Sequence, residues 1–207
     1  MLKTALVLGA TGLVGQRLVS QLCRDERYQA VICLVRKPLL QHFVAEHSTK
    51  LQPIVIDFEN LQDYQGYFAV DHVYVCLGTT IKKAGNKSAF RKVDFEFIHV
   101  AAQLARAQKV SSFVWVSSVG ANAKSRNFYL RVKGELENAI FNLSGLENAF
   151  AVRPSLLLGE RYEQRYAEKI ASWFGKIIAP FLMGALAKYK PIQANDVATK
   201  MIQLQVF

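Results

Sequence analysis

Short, nearly unbroken apolar runs recur along this chain, separated by stretches in which apolar residues return every three or four positions. Thr4–Leu8, Val31–Val35, Pro53–Ile56, Val73–Leu77, Phe113–Val116 and Ala149–Val152 are rich in Val, Ile, Leu and Phe and lack the alternation of a sheet with one wet face. They predict six strands covered on both faces. Gly12–Cys23, Phe95–Ala107 and Tyr129–Leu143 carry the helical period, and in the first Leu13, Val14, Leu18, Val19 and Leu22 form one broad inward face. A last helix is expected to start at Asn195-Asp196, either of which can cap it, and to run through Val197, Met201 and Ile202.

Repeated β-α-β order predicts an α/β fold: a doubly wound parallel sheet of Rossmann type, with ligands held at the carboxyl ends of its strands. After Arg153-Pro154 the rhythm changes. The segment 172–186 is apolar (Trp173, Phe174, Ile177, Ile178, Phe181), is broken by Pro180, and at 15 residues is too short to span a bilayer. It is expected to join the core and cap the ligand cleft, with a membrane-surface or partner-binding helix as the alternative. This gives one domain over 1–207 with a small C-terminal cap at about 154–190.

Composition narrows the picture. A hydrophobic content of 51% excludes disorder, and 207 residues suffice for a continuous core. The net charge of +10 could mark a nucleic-acid or membrane partner. The basic residues are spread, however, with only short clusters at Lys82-Lys83 and Arg91-Lys92 and no aromatics interleaved as in RNA-binding strands. The expectation is therefore no specific nucleic-acid partner, no membrane association, and a surface that attracts a multiply charged small molecule. Cys23, Cys33 and Cys76 show no ligand spacing and read as small buried hydrophobes, and the four histidines form no i, i+4 pair, so no metal is expected. Lys3 leads directly into a strand-sized run rather than a signal peptide, which predicts a cytoplasmic protein, monomer or homodimer.

The candidate chemistry starts where the first run ends. Gly9-Ala10-Thr11-Gly12-Leu13-Val14-Gly15 joins a strand to a helix, and the unpaired N–H groups and dipole of a helix start attract phosphate. Gly9 permits the tight turn, Gly12 lets a diphosphate reach the backbone, and Gly15 lets the helix pack closely. The second strand ends in Arg36-Lys37, where a site for the unphosphorylated dinucleotide would carry an acid. A guanidinium fork suits a 2′-phosphate, so NADP(H) is expected over NAD(H). Asp57-Phe58 could meet an adenine, although an Asp at a strand end is also a common turn former, and Leu77-Gly78-Thr79 could line the cleft beside the cofactor ribose. Beyond the fifth strand stand Ser117-Ser118, and then Tyr129 and Lys133, one helical turn apart on one face. An ammonium beside a phenol brings its proton into the working range, so this set could protonate an alkoxide as hydride reaches a carbonyl carbon.

Together, Gly9–Gly15, Ser117-Ser118 and Tyr129/Lys133 resemble the short-chain dehydrogenase/reductases in their atypical branch. Val55-Ile56-Asp57-Phe58-Glu59, Cys76-Leu77-Gly78-Thr79-Thr80, Lys83-Ala84-Gly85, Val93-Asp94 and Tyr129-Leu130-Arg131-Val132-Lys133-Gly134-Glu135 resemble the oxidoreductase Tat-interacting-protein group and its bacterial relatives. The resemblance implies NADP(H) held by Gly9–Gly15, Arg36, Leu77 and Gly78, with Tyr129 as proton donor and Lys133 on the nicotinamide ribose. It also implies that the backbone of Arg153-Pro154-Ser155-Leu156-Leu157 lies beside the nicotinamide, with Gly159-Glu160-Arg161 and Arg165 as further contacts. Either serine could be catalytic, and Ser118 is preferred. The expected activity is NADPH-dependent reduction of a small carbonyl substrate. A non-catalytic NADP(H)-binding regulator is the alternative, and an epimerase-like enzyme is disfavoured because 207 residues leave little room for a substrate domain.

Overall fold

A computed structural model describes residues 1–47, 49–155, 157–158 and 192–207. The segment 172–186, most of the expected cap, Gly159-Glu160-Arg161 and Arg165 lie outside the described residues. The six apolar runs form β1 (Lys3–Leu8), β2 (Tyr28–Val35), β3 (Leu51–Val55), β4 (His72–Val75), β5 (Ser112–Val116) and β6 (Ala149–Val152). They make one parallel sheet in the order β3-β2-β1-β4-β5-β6, with a short separate pairing of β7 (Leu157–Leu158) and β8 (Ile192–Gln193). The chain thus winds outward from β1 in both directions, and the crevice between β1 and β4 is where a doubly wound sheet takes its ligand.

Strand side chains alternate between two cores, as a two-residue repeat requires. Ala5, Val7, Val31, Cys33 and Tyr74 pack on one face with α1 (Leu13–Arg24) and the last helix, α7 (Ala194–Gln203). Leu6, Leu8, Leu34, Val73 and Val75 pack on the other with α5 (Phe97–Ala107) and α6 (Phe128–Phe141). The last helix begins slightly earlier than its sequence suggests. Gln193 occupies the cap position with no side-chain bond, while Asn195 Oδ1 accepts a 2.9 Å hydrogen bond from Gln21 of α1.

Between the strands the chain makes structure that lacks a clean period: α2 (Gln41–Glu46), a 3-10 segment (Phe58–Phe68), α3 (Ile81–Ala84), α4 (Lys87–Arg91) and a π turn (Lys92–Glu96) leading into α5. The expected strand Val73–Leu77 stops at Val75. Cys76 N still donates to Leu8 O at 2.8 Å, and beyond it the backbone leaves the sheet to form one wall of the crevice. Among the described residues no helix is long and apolar enough to cross a membrane.

Candidate functional site

Gly9 follows β1 with φ +87°, a conformation that side-chain-bearing residues rarely adopt. A Cβ there would stand 2.6 Å from the carbonyl carbon of Cys76, so the turn can lie against the end of β4 only if this residue is glycine. A Cβ on Gly15 would collide with Gly9 O and Ala10 Cα, which fixes how closely α1 sits on the turn. Gly12 N donates to Gly9 O at 3.0 Å, and Gly12 caps α1 with no side-chain bond and no acidic residue in the first turn. The amino end of α1 therefore presents its positive pole with no carboxylate in its own first turn to oppose it.

The turn opens into two adjoining cavities of about 490 and 350 Å3, whose shared walls include Gly12, Leu77, Gly78, Thr79 and Lys83. The larger runs beneath the end of β2 and is lined by Thr11, Arg36, Phe58 and Glu59. The smaller holds Leu13, Val14, Ser117, Ser118, Tyr129 and Lys133, with Pro154 at its margin. Most of the residues singled out in the sequence thus meet at one crevice. Ala10 and Gly15 are buried beneath the turn, and Lys37 is exposed beyond the cavity wall. Asp57 follows the turn-former reading: its carboxylate accepts from Glu59 N and Asn60 Nδ2, both at 2.9 Å, and caps the 3-10 segment, while Phe58 and Glu59 face the cavity. Leu157 lies in β7.

Helix α6 sets the smaller cavity's chemistry. Asn127 Oδ1 caps it by accepting from Leu130 N, and Tyr129 and Lys133 follow on one face, with the Tyr129 ring packed 5.7 Å from that of Phe90. Lys133 Nζ lies 2.8 Å from Asp94 Oδ1, with the two side chains only 3% and 1% exposed. The other Asp94 oxygen accepts from Thr79 N at 2.8 Å, so one carboxylate ties α6 to the loop after β4. Burial holds the Asp94 carboxyl above the usual carboxylate range, against the opposing pull of the Lys133 ammonium. Asp94 lies on the π turn, whose extra residue per turn alters which side chains reach the site.

The two serines differ. Ser117 is buried and its hydroxyl donates to Glu137 Oε1 at 2.5 Å. Glu137 in turn accepts two hydrogen bonds from Arg153, at 2.8 and 2.6 Å. Ser118 is half-buried, and among the described residues its hydroxyl makes only a 3.3 Å contact with the neighbouring Val119 carbonyl. Ser117 is therefore part of a network joining β5, α6 and β6, while the Ser118 hydroxyl can turn to a new acceptor. Cys76 lines the crevice, but burial pushes its thiol up to about 12, which leaves it a neutral wall. Sequence reasoning gave no role to Asp94, Glu137 or Lys83. Asp94 and Lys83 stood in quoted motifs, and only the tertiary fold reveals what they face.

A family described as NAD(P)H-binding matches residues 9–168. The chain is 32% identical over 208 residues to "Protein FMP52, mitochondrial" of Debaryomyces hansenii, spanning 97% of this chain and 87% of that protein. It is 34% identical to "Protein HTATIP2" of Rattus norvegicus, spanning 84% of this chain and 72% of that one. Among solved structures, an oxidoreductase of the short-chain dehydrogenase/reductase family from Burkholderia thailandensis superposes with a TM-score of 0.70 at 21% identity, covering 100% of this chain and 86% of that one, a likeness of fold alone. The mitochondrial label of FMP52 proteins that match along most of the chain overturns the expectation of a cytoplasmic location. A strand at the amino end speaks only to local structure and carries no address. With its glycine turn, six-stranded parallel sheet and matches at this level, the chain belongs to the NAD(P)H-binding family, with HTATIP2 and the FMP52 proteins among its relatives.

Proposed function

We propose that this protein is an NADP(H)-dependent reductase of small carbonyl compounds. The reading is carried by one observation: the cavity that contains Tyr129, Lys133 and Ser118 shares its wall with the glycine turn at the start of α1. The crevice fits a dinucleotide. The turn packs against the end of β4 and the start of α1 only because Gly9 and Gly15 have no Cβ, and the amino end of α1 and the Arg36 guanidinium offer donors to phosphate at the junction and in the larger cavity. Gly9–Gly15 would hold the diphosphate, Arg36 the 2′-phosphate, Phe58 the adenine, and Leu77, Gly78 and the Pro154 backbone the nicotinamide half.

When bound, NADPH supplies hydride to the carbonyl carbon. Ser118 would donate a hydrogen bond to the substrate oxygen and hold it beside Tyr129. The Tyr129 hydroxyl would give its proton to that oxygen as negative charge develops there, and the Lys133 ammonium would stabilise the phenolate that remains. Asp94 keeps Lys133 at this station, and the network of Ser117, Glu137 and Arg153 braces the strand end that carries Ser118.

The test separates binding from chemistry. Tyr129→Phe is expected to bind NADPH as the wild type does while reduction across a panel of aldehydes, ketones and quinones falls by roughly 10²–10⁴-fold. NADPH should bind at least about tenfold more tightly than NADH, since one bidentate phosphate contact supplies that much. A phenylalanine variant with full turnover would overturn the mechanism. Tight NADPH binding with no turnover on any panel member would favour the cofactor-binding regulator instead.

A further inference from the structure

Among the described residues four cations line the two cavities, and two of them are already neutralised. Lys92 pairs with Glu59, and Lys133 pairs with Asp94. Arg36 and Lys83 have no carboxylate partner among the described residues, and they stand in different places. Arg36 borders only the larger cavity, at the end of β2, whereas Lys83 borders both cavities, as Gly12 does. A ligand that threads from one cavity to the other must pass Lys83 at the level of the glycine turn.

The local structure holds Lys83 at that point. Asp94 fixes the backbone at Thr79, and Thr80 caps α3, its hydroxyl accepting from Lys83 N at 3.1 Å while its carbonyl accepts from Ala84 N at 2.8 Å. Gly85, with φ +90°, ends the helix after a single turn and sends the chain on to α4. Lys83 therefore rides on a short turn anchored at both ends, in the wall that the loop after β4 contributes.

We propose that Lys83 supplies a cation to the diphosphate of the cofactor from this second wall, complementing the backbone N–H groups of the glycine turn. The inference rests on the NADP(H) reading and adds a residue to it. A diphosphate carries two negative charges, and the glycine turn meets them only with partial ones. Lys83 provides the full charge at the junction, and its flexible stem lets the crevice admit and release the dinucleotide. Arg36 then governs the choice between NADP(H) and NAD(H), while Lys83 governs affinity for either.

The experiment is a titration of wild type, Lys83→Ala and Lys83→Arg with three probes: NADPH, NADH, and 2′-AMP, which keeps the adenosine and 2′-phosphate but has no diphosphate. Lys83→Ala is expected to weaken NADPH and NADH alike, by about fivefold or more, with the difference shrinking in high salt. It should leave 2′-AMP within about twofold of wild type, and Lys83→Arg should keep most of the affinity. Unchanged melting temperatures would show that each variant is folded. NADPH binding to Lys83→Ala within twofold of wild type would overturn the Lys83 proposal and leave the cofactor reading standing. Equal losses for 2′-AMP and NADPH would also overturn it, by moving the charge to the 2′-phosphate or to a general field. If the wild type bound no NADPH, the cofactor reading itself would fail, and the Lys83 proposal with it.

Discussion

Asp94 and Lys133 come from different elements, yet each is almost fully buried and the two side chains meet at 2.8 Å. Removing one member of such a pair strands a charge in the interior, which costs about 3–5 kcal/mol, whereas replacing both is often close to neutral. Asp94→Asn keeps an acceptor for Thr79 N but removes the countercharge, so it should lower the urea midpoint sharply, and Asp94→Asn/Lys133→Met should recover most of the loss. Additive effects of the two substitutions would show that the pair contributes nothing as a pair. At this scale the sequence was legible wherever chemistry follows local spacing. Gly9, Gly12 and Gly15, or Tyr129 and Lys133, are set by turns and helical periodicity, and the structure puts all of them except the buried Gly15 around one crevice. Asp94 with Lys133, and Ser117 with Glu137 and Arg153, meet only through tertiary packing. No spacing rule announces them.

The elements show the same division. Strands buried on both faces leave a dense apolar run that any reading frame reveals, so all six were visible, with boundaries displaced by up to three residues. The 3-10 segment Phe58–Phe68 buries only Phe58, Leu61 and Phe68, a spacing that matches neither a strand nor a long helix. The π turn hides inside what reads as one helical stretch from α4 to α5. Helix α6 carries the most demanding local requirement. A Cβ on Gly134 would collide with the backbone of Asn122 and Ala123, in the loop that leads from Ser117-Ser118 to Tyr129. Because that neighbour is main chain, it cannot rotate aside, and overpacking of this kind costs roughly 1–3 kcal/mol. Gly134→Ala is expected to lower the melting temperature by several degrees, despite alanine's better helix propensity. A variant as stable as wild type would mean that the Asn122–Ala123 loop yields freely, and that α6 is not held to the site by this contact.

At the scale of the whole molecule, the sheet has a functional end and a sealed one. The crevice lies at the carboxyl ends of the strands, while the last residues of the chain close the amino ends. Ser112 Oγ donates to Gln205 Oε1, and Val206 N donates back to Ser112 Oγ. Nothing in the composition of Gln205-Val206-Phe207 signals this, since three residues carry no period. His72, the first residue of β4, ties the tail to the core. Its Nε2 lies 2.8 Å from Val206 O, which can only accept, so Nε2 carries the proton and Nδ1 accepts from the Tyr28 hydroxyl at 2.7 Å. Tyr28 and Tyr74 hydroxyls lie 2.8 Å apart, and Arg27 stacks 4.0 Å over the Phe207 ring. This chain of donors suits a neutral imidazole. Burial accordingly holds the His72 pKa below its ordinary value, with Lys3 and Arg27 pushing the same way and Asp71 and the Val206 carbonyl opposing. A histidine whose folded pKa is depressed leaves stability intact above its unfolded pKa, about 6.5, and withdraws it as pH falls through the folded value. The melting temperature should therefore drop between pH 7.5 and 5.5, before carboxylates titrate. In His72→Gln, which cannot ionise but can still donate to Val206 O, the drop should be markedly smaller, although the variant starts from a lower stability at pH 7.5. An identical pH slope in wild type and variant would assign the loss to other groups and show that the tail closes the sheet independently of the His72 proton.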